Sequence, residues 1–311
     1  MIKTALCDLI GIEYPVFQGA MAWISDADLA AAVSNAGGLG IIAAGNAPAS
    51  YISEQIKKVK TLTDRPFGVN IMLMSPVAEE IAQLAADEKV PVITTGAGNP
   101  SKFMSLWSDA GIKVIPLVAS TGLAKMMQRS GAAAVIAEGC EAGGHIGELT
   151  TMTLVPQVCD VVDIPVIAAG GIGDGRGIAA AFMLGAAGVQ LGTRFLVAKE
   201  CNVHQNYKSK IIAAKDIDTI STGKRLGHPV RSLKTPFSRE MFSKEYNSFI
   251  TDEELENLGT GALQSAAVEG DLQNGSFMAG QISGLIKKEQ TAKEIIDELM
   301  SETERLLKCE N

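Results

Sequence analysis

The sequence is poor in aromatic residues, in histidine and in clustered positive charge. Aromatic residues make up 5% of the 311 positions, and only three histidines are present. Few aromatics beside 32 glycines favour tight turns and small-residue packing, which is typical of α/β proteins rather than of β-sandwiches. The formal net charge is −8, and no basic face is clustered in the sequence, so a nucleic-acid partner is not expected.

Close-spaced cysteines and long apolar runs are also missing. The five cysteines are scattered and show no metal-binding or redox pair; they are Cys7, Cys140, Cys159, Cys201 and Cys309. His204 and His228 have no metal-like spacing either, so no metal site is expected. No run reaches membrane-spanning length, and Asp8 stands where a signal peptide needs an apolar core. We therefore expect a cytoplasmic protein in a reducing compartment, without a membrane partner.

Short apolar runs alternate with amphipathic segments through the first two thirds of the chain. The runs predict eight strands, at residues 14–18, 39–43, 67–72, 92–95, 113–117, 134–137, 166–169 and 187–191. Helices are predicted between them, for example at 26–35, 49–62, 77–86, 121–129 and 176–184, several of which stop at glycine. Eight such units predict a (β/α)8 TIM barrel, class α/β. The alternative is an open doubly wound sheet, which usually carries its phosphate fingerprint at the first strand, whereas here the glycine-rich loops are late.

The pattern changes near Cys201 to a polar, irregular stretch. We predict that residues 1–200 and 285–311 form the barrel and that residues 201–284 form a smaller, mostly helical lid domain. The segment 291–307 places apolar residues at helical spacing among charged ones, which predicts an amphipathic helix packed against the barrel.

Two late loops carry the clearest binding signal. Active sites of such barrels lie at the carboxyl ends of the strands. Residues 169–175 follow the seventh predicted strand, and residues 190–194 follow the eighth. Their backbone N–H groups suit a phosphate cradle, whereas a single Gly-Gly-Ile-Gly can also be a plain turn. The matching positions of both loops favour phosphate binding.

The loop after the sixth strand carries the candidate for acid–base chemistry. Glu138 ends that strand, and His145 lies on a turn with Gly143, Gly144 and Gly147. Histidine exchanges protons near neutral pH, although it can also cap backbone groups. Glu138 can accept hydrogen bonds from a ligand or form a surface salt bridge. Cys140 is a nucleophile candidate, but a plain small residue is the better interpretation.

The early loops add residues suited to a flat ligand. Gly19, Ala20 and Met21 follow the first strand and allow close backbone approach, and Asn46 follows the second. Asn70 is an amide in an apolar strand, where it can meet a heterocycle edge or bond neighbouring backbone.

These residues fall in stretches that together span nearly the whole chain: 14–23, 36–42, 65–73, 94–102, 138–153, 164–175 and 277–284. The stretches resemble those of the FMN-dependent enoyl-acyl-carrier-protein reductases II, of the FabK type, within the wider group similar to nitronate monooxygenases and 2-nitropropane dioxygenases. The resemblance implies an FMN at the barrel mouth, and it implies that His145 matches the family's catalytic histidine.

The resemblance also implies roles for the other candidates. The flavin ring would rest near Gly19, Ala20, Met21 and Asn70, and Glu138 would meet a polar part of the cofactor. Gly171, Gly173, Gly192 and Thr193 would hold the phosphate. The remaining expected cofactor contacts are Asn46, Gly144, Gly170 and Gln190.

The implied reaction is reduction of trans-2-enoyl-acyl carrier protein by NADH or NADPH, the last step of type II fatty acid elongation. His145 would supply or orient the proton for the α-carbon. A monovalent cation assists some members of this group, and a homodimer is expected. Two alternatives stay open: a nitronate monooxygenase, which oxidises nitronates with O2, and a flavin- or nucleotide-binding module without catalysis.

An acyl carrier protein is acidic and would need a basic patch on this acidic chain. The candidates are Lys208, Lys210, Lys215, Lys224, Arg225, Arg231 and Lys234. An ordinary solvated surface explains the same residues equally well.

Overall fold

The structure is a computed structural model that describes residues 2–308. Cys309 and the end of the predicted 285–311 segment lie outside the described residues. Its strands are β1 (Val16–Gln18), β2 (Gly40–Ala43), β3 (Phe67–Met72), β4 (Val92–Gly96), β5 (Lys113–Val118), β6 (Val135–Glu138), β7 (Gly144–His145), β8 (Val166–Ala169), β9 (Gly188–Leu191), β10 (Thr219–Thr222) and β11 (Val230–Leu233).

The helices connect these strands and cover the sheet. They are α1 (Ala5–Ile10), α2 (Ala27–Asn35), α3 (Ala49–Leu62), α4 (Ala78–Asp87), α5 (Met104–Asp109), α6 (Thr121–Arg129), α7 (Thr151–Cys159), α8 (Gly175–Met183), α9 (Gln205–Ala213), α10 (Pro236–Glu245), α11 (Asp252–Gly259), α12 (Ala262–Gln264) and α13 (Ala292–Lys308). Among the residues that the structure describes, none of these helices is long and apolar enough to cross a membrane.

Eight parallel strands form the barrel, in the order β1-β9-β8-β6-β5-β4-β3-β2. The ring closes between β1 and β2, where the Gln18 N–H donates to the Leu39 carbonyl at 2.9 Å and the Leu39 N–H to the Val16 carbonyl at 2.9 Å. The buried Gln18 side chain extends this seam, since its amide oxygen accepts from the Ile41 N–H at 3.0 Å. The predicted TIM barrel is confirmed, and the open-sheet alternative is wrong.

Local sequence signals explain several helix ends. The Asp26 carboxylate accepts from the Asp28 and Leu29 N–H groups at 3.1 Å and starts α2, as an N-cap does. Gly131 and Gly185 adopt left-handed φ values of 91° and 96° after α6 and α8, which glycine allows without steric cost. Strands β3 and β8 and helices α3 and α6 begin and end at the predicted residues.

The barrel interior is packed with apolar side chains. Phe17, Ile41, Ile115 and Ile167 are fully buried there. Helix α1, which was not predicted from the sequence, adds Leu6, Cys7 and Ile10 to the same cluster. The Thr4 hydroxyl donates to the Ala187 carbonyl, just before β9, so α1 closes the amino-terminal end of the barrel. The cavity is left at the opposite end.

The segment 201–284 combines helices α9 to α12 with a small antiparallel sheet. The sheet has the order β10-β11-β7 and draws β7 out of the loop after β6. Leu191 of the barrel, Tyr207 of α9, Phe277 and Ile295 of α13 belong to one buried cluster. The division into a barrel and a lid domain stays a prediction.

Candidate functional site

The carboxyl ends of the barrel strands surround a cavity of about 510 Å³. Gly173 does not line this cavity; a Cβ built there would meet Ile282 at 3.1 Å and Leu285 at 3.3 Å. The other predicted site residues all line it: Gly19, Ala20, Met21, Asn46, Asn70, Glu138, Gly144, His145, Gly170, Gly171, Gln190, Gly192 and Thr193. The structure therefore brings together residues that are spread over 175 positions of the sequence, from 19 to 193.

One side of the cavity is built from backbone. We call Gly170, Gly171, Gly192 and Thr193 the glycine wall. Within residues 2–308, the N–H groups of Gly170, Gly171 and Gly192 donate to no protein acceptor. Gly170 and Gly171 adopt left-handed φ values of 87° and 69°. Successive free N–H groups in such conformations form a concave anion-binding surface.

The glycines of this wall also leave necessary space. A Cβ built on Gly170 would lie 2.6 Å from the Gly139 carbonyl oxygen, a distance that the backbone cannot accept. A Cβ on Gly192 would meet only Met21 Sδ, at 3.9 Å, and would extend into the cavity that both residues line. The wall thus has the free donors and the shape that a phosphate requires.

Asn70 and its neighbour Thr94 form the polar edge next to β3. The Asn70 amide nitrogen donates to the Thr94 hydroxyl at 3.0 Å, and both residues line the cavity. This bond goes to a side chain and not to neighbouring backbone, which was the alternative interpretation of Asn70. It fixes the amide with its carbonyl oxygen available to a ligand. Thr94 lies in β4, at the start of a segment in which the sequence showed no reactive side chain, so sequence reasoning missed it.

Glu138 ends β6 and faces the cavity. Its half-buried carboxyl group has no hydrogen-bond or ion-pair partner in the part of the chain that the structure describes, so the salt-bridge alternative is wrong. Withdrawal from water disfavours the charged form and raises the pKa of Glu138 from 4.5 to about 8. The group is therefore largely protonated at neutral pH and can donate a hydrogen bond to a ligand.

His145 also lines the cavity, on a part of the site that we call the histidine side, made of β7, β10, β11 and the 223–229 turn. His145 pairs with Val230 and Gly144 with Arg231. The His145 side chain is exposed at the cavity mouth and caps no backbone group in residues 2–308. Partial desolvation and the nearby His228 lower the pKa of His145 below its usual value. A lower pKa makes the protonated imidazole a stronger acid.

Other residues hold the histidine side in place. Arg231 Nε donates to the Cys140 carbonyl at 3.0 Å, and the Tyr207 hydroxyl donates to the Met278 carbonyl at 2.7 Å. Tyr207 and Met278 line the cavity, whereas Cys140 does not. Sequence reasoning missed Tyr207 and Glu141; the latter accepts from the Thr151 N–H at 2.9 Å and so caps α7. Neither carries a motif that could have shown its position.

The structure removes three residues from the candidate basic patch. Lys208 is buried, and its ammonium group donates to the Ala198 carbonyl at 2.7 Å. Arg225 forms an ion pair with Asp252 at 2.8 Å, and Arg231 donates a hydrogen bond to the Cys140 carbonyl.

In the described residues, no cluster of three or more His, Cys, Asp or Glu side chains is arranged to hold a metal ion.

The barrel and the cavity at its carboxyl end have the architecture of a TIM-barrel enzyme. The family model for nitronate monooxygenase matches residues 3–88 and 78–302, and the chain belongs to that family. A solved structure of FabK from Thermotoga maritima is 50% identical, with a TM-score of 0.96 over 99% of this chain and 98% of that chain.

Two curated relatives extend the comparison. A (3aS,4S,5R,7aS)-5-hydroxy-7a-methyl-1-oxo-octahydro-1H-indene-4-carboxyl-CoA dehydrogenase of Rhodococcus jostii (strain RHA1) is 34% identical over 97% of this chain and 96% of its own. A probable nitronate monooxygenase of Staphylococcus saprophyticus is 34% identical over 92% and 94%. These names denote oxidoreductases, and the chain is an oxidoreductase, which disfavours a binding module without catalysis.

Proposed function

We propose that the chain is an FMN-dependent enoyl-acyl-carrier-protein reductase that uses NADH or NADPH. The observation that carries this proposal is the similarity to FabK, which is 50% identical over 99% of the chain, whereas the two curated relatives are 34% identical. Cytoplasmic location and a homodimer belong to the same proposal. Acyl carrier protein is the proposed protein substrate, and the exposed Lys215 and Lys224 remain candidates to meet it.

The cavity residues fit an FMN. The free N–H groups of the glycine wall suit its phosphate, and Asn70 and Glu138 offer hydrogen bonds to polar ring or ribityl atoms. Gly19, Ala20 and Met21 provide a surface with little side-chain bulk for a flat ring. When bound, FMN supplies hydride transfer, and the protein supplies orientation and electrostatics.

His145 is proposed to supply the proton. Reduction of a trans-2-enoyl thioester places a hydride on the β-carbon and a proton on the α-carbon. In this proposal, the protonated His145 donates that proton at the cavity mouth and is neutral afterwards. The lowered pKa of His145 favours its release. A positioned general acid contributes roughly 10²–10⁴-fold to the rate.

Nitronate monooxygenase activity is the second candidate, because the matching family model and one curated relative carry that name. The same cavity would serve a nitronate and O2 without a nicotinamide. The glycine wall and His145 are compatible with both reactions and cannot separate them.

One spectroscopic experiment separates the two. The absorbance of the purified flavoprotein is recorded under anaerobic conditions before and after NADH or NADPH, and then after crotonyl thioester. Bleaching by the nicotinamide and recovery with the enoyl thioester support the reductase. Bleaching by nitronates alone would replace it with the monooxygenase. A colourless preparation that binds no added FMN would refute both.

A further inference from the structure

A second histidine lies beside His145 at the cavity mouth. His228 is exposed in the 223–229 turn between β10 and β11. The ring centroids of His145 and His228 are 6.2 Å apart, with an interplanar angle of 58°. The backbone fixes this proximity, because the Ile146 N–H donates to the Pro229 carbonyl at 3.0 Å and Val230 pairs with His145.

The turn that carries His228 is held by hydrogen bonds to Glu245 of α10. The buried Glu245 carboxylate accepts from the Arg225 N–H at 2.8 Å and from the Gly223 N–H at 3.1 Å. Gly223 has a left-handed φ of 81°, and a Cβ there would lie 3.1 Å from the His228 carbonyl oxygen. The compact turn therefore holds the His228 backbone beside β7 and His145.

The other charged groups near His145 either bond to other residues or lie elsewhere on the turn and cavity wall. On β11, Arg231 donates to the Cys140 carbonyl and, at 3.3 Å, to Thr219. In the 223–229 turn, Arg225 pairs with Asp252, and Lys224 is exposed. Further titratable groups are Glu148 on the same loop and Glu138, Glu141 and Tyr207 in the cavity wall. Two effects lower the pKa of His145: desolvation is the larger, and the charge of His228 is the second. None of these other groups contributes to that lowering.

We propose that His228 is a positioning residue for His145, and that the charge on its imidazole controls how readily His145 holds a proton. Two protonated imidazoles at this distance repel each other, so protonation of the pair is coupled. His228 thereby favours proton release from His145. The benefit to catalysis rests on the proposed function, but the coupling between the two rings does not.

Nuclear magnetic resonance titration of the full chain tests the coupling. The chain has only three histidines, so single replacements assign each imidazole signal. His228→Gln removes the charge, and the His145 midpoint should move to higher pH. His228→Lys installs a permanent charge, and the His145 midpoint should move to lower pH than in His228→Gln. His204, whose Nδ1 accepts from the Asn206 N–H at the start of α9, is the internal reference.

The two variants distinguish charge from shape. If the His145 midpoint in His228→Lys is not lower than in His228→Gln, or if His228→Gln moves it by no more than the His204 signal moves, the proposal is wrong. Circular dichroism and retained FMN binding identify a variant that fails to fold, and the other variant then decides by comparison with the wild type.

The pH profile of enoyl reduction adds a separate readout. In His228→Gln the loss of activity on the alkaline side should move to higher pH, together with the His145 midpoint. If the midpoint moves and the profile does not, the coupling stands and the proposed role of His145 as the acid fails.

Discussion

The glycine wall and the histidine side line one cavity but are built by different means. The wall comes from two loops within residues 170–193, and it presents backbone N–H groups. The histidine side joins β7 to β10 and β11, with Glu245 beneath the turn. Its functional groups are side chains held by pairing between segments about 85 positions apart, such as His145 and Val230.

Because of this difference, substitutions on the two sides should affect ligand binding and proton transfer separately. A backbone surface cannot be lost by replacing a side chain, but it is sensitive to any added Cβ. A side-chain surface can lose its chemistry while the cavity keeps its shape.

Replacing His145 should remove chemistry from the histidine side and leave the glycine wall intact. In His145→Ala, enoyl reduction should slow by roughly 10²–10⁴-fold, with FMN still bound, as measured by steady-state kinetics and flavin absorbance. His204→Gln is the control, because His204 does not line the cavity. Turnover near the wild-type value would contradict the assignment.

Glu138 lines the same cavity and should give the FMN-free protein a pH-dependent stability. Its folded-state pKa of about 8 lies above the ordinary 4.5, so the folded state binds more protons between these values. The free energy of unfolding should fall by a few kcal/mol as the pH rises from about 5 to about 8. Glu138→Gln stays neutral and should flatten this slope in denaturant titrations. Parallel pH dependence in both proteins would show that Glu138 is not the cause.

Replacing Glu245, whose carboxylate holds the 223–229 turn, should destabilise the histidine side although Glu245 does not line the cavity. Glu245→Ala leaves the Gly223 and Arg225 N–H groups without their acceptor, and should lower the free energy of unfolding by about 2 kcal/mol. Glu240→Ala on the same helix loses only an exposed ion pair with Lys244, which contributes about 0–1 kcal/mol. Equal effects of the two changes on urea unfolding would refute the anchoring role.

Adding one methyl group should damage the glycine wall alone. The Gly192 backbone, with φ −97° and ψ −70°, accepts alanine, but the new methyl group extends into the cavity. Gly192→Ala should weaken FMN binding about tenfold, the effect of losing one hydrogen bond to a charged group. Gly122→Ala adds the same methyl group in open space on α6 and should leave FMN affinity unchanged. Unchanged affinity in Gly192→Ala would show that the wall does not hold the phosphate.

The sequence predicted the barrel because its signals are local. An apolar run such as Phe67–Met72 favours a strand through its own residues, and a glycine after α6 allows the helix to end there. The short α1 lacks a periodic pattern. Its position depends on packing against the amino-terminal end of the barrel, where its apolar side chains are buried. Likewise, nothing near His145 indicated that Gly144 and His145 form a strand, since their partner lies in β11.

The sequence by itself determined the (β/α)8 architecture, the late glycine loops and the family resemblance that singled out His145. Only the tertiary structure decided that Gly173 is packed away from the cavity, that Asn70 bonds to Thr94, and that Glu138 has no charged partner among residues 2–308. It also placed His228 beside His145. The physical reason is that burial and charge depend on which distant segments meet, whereas periodicity and turn chemistry depend on adjacent residues.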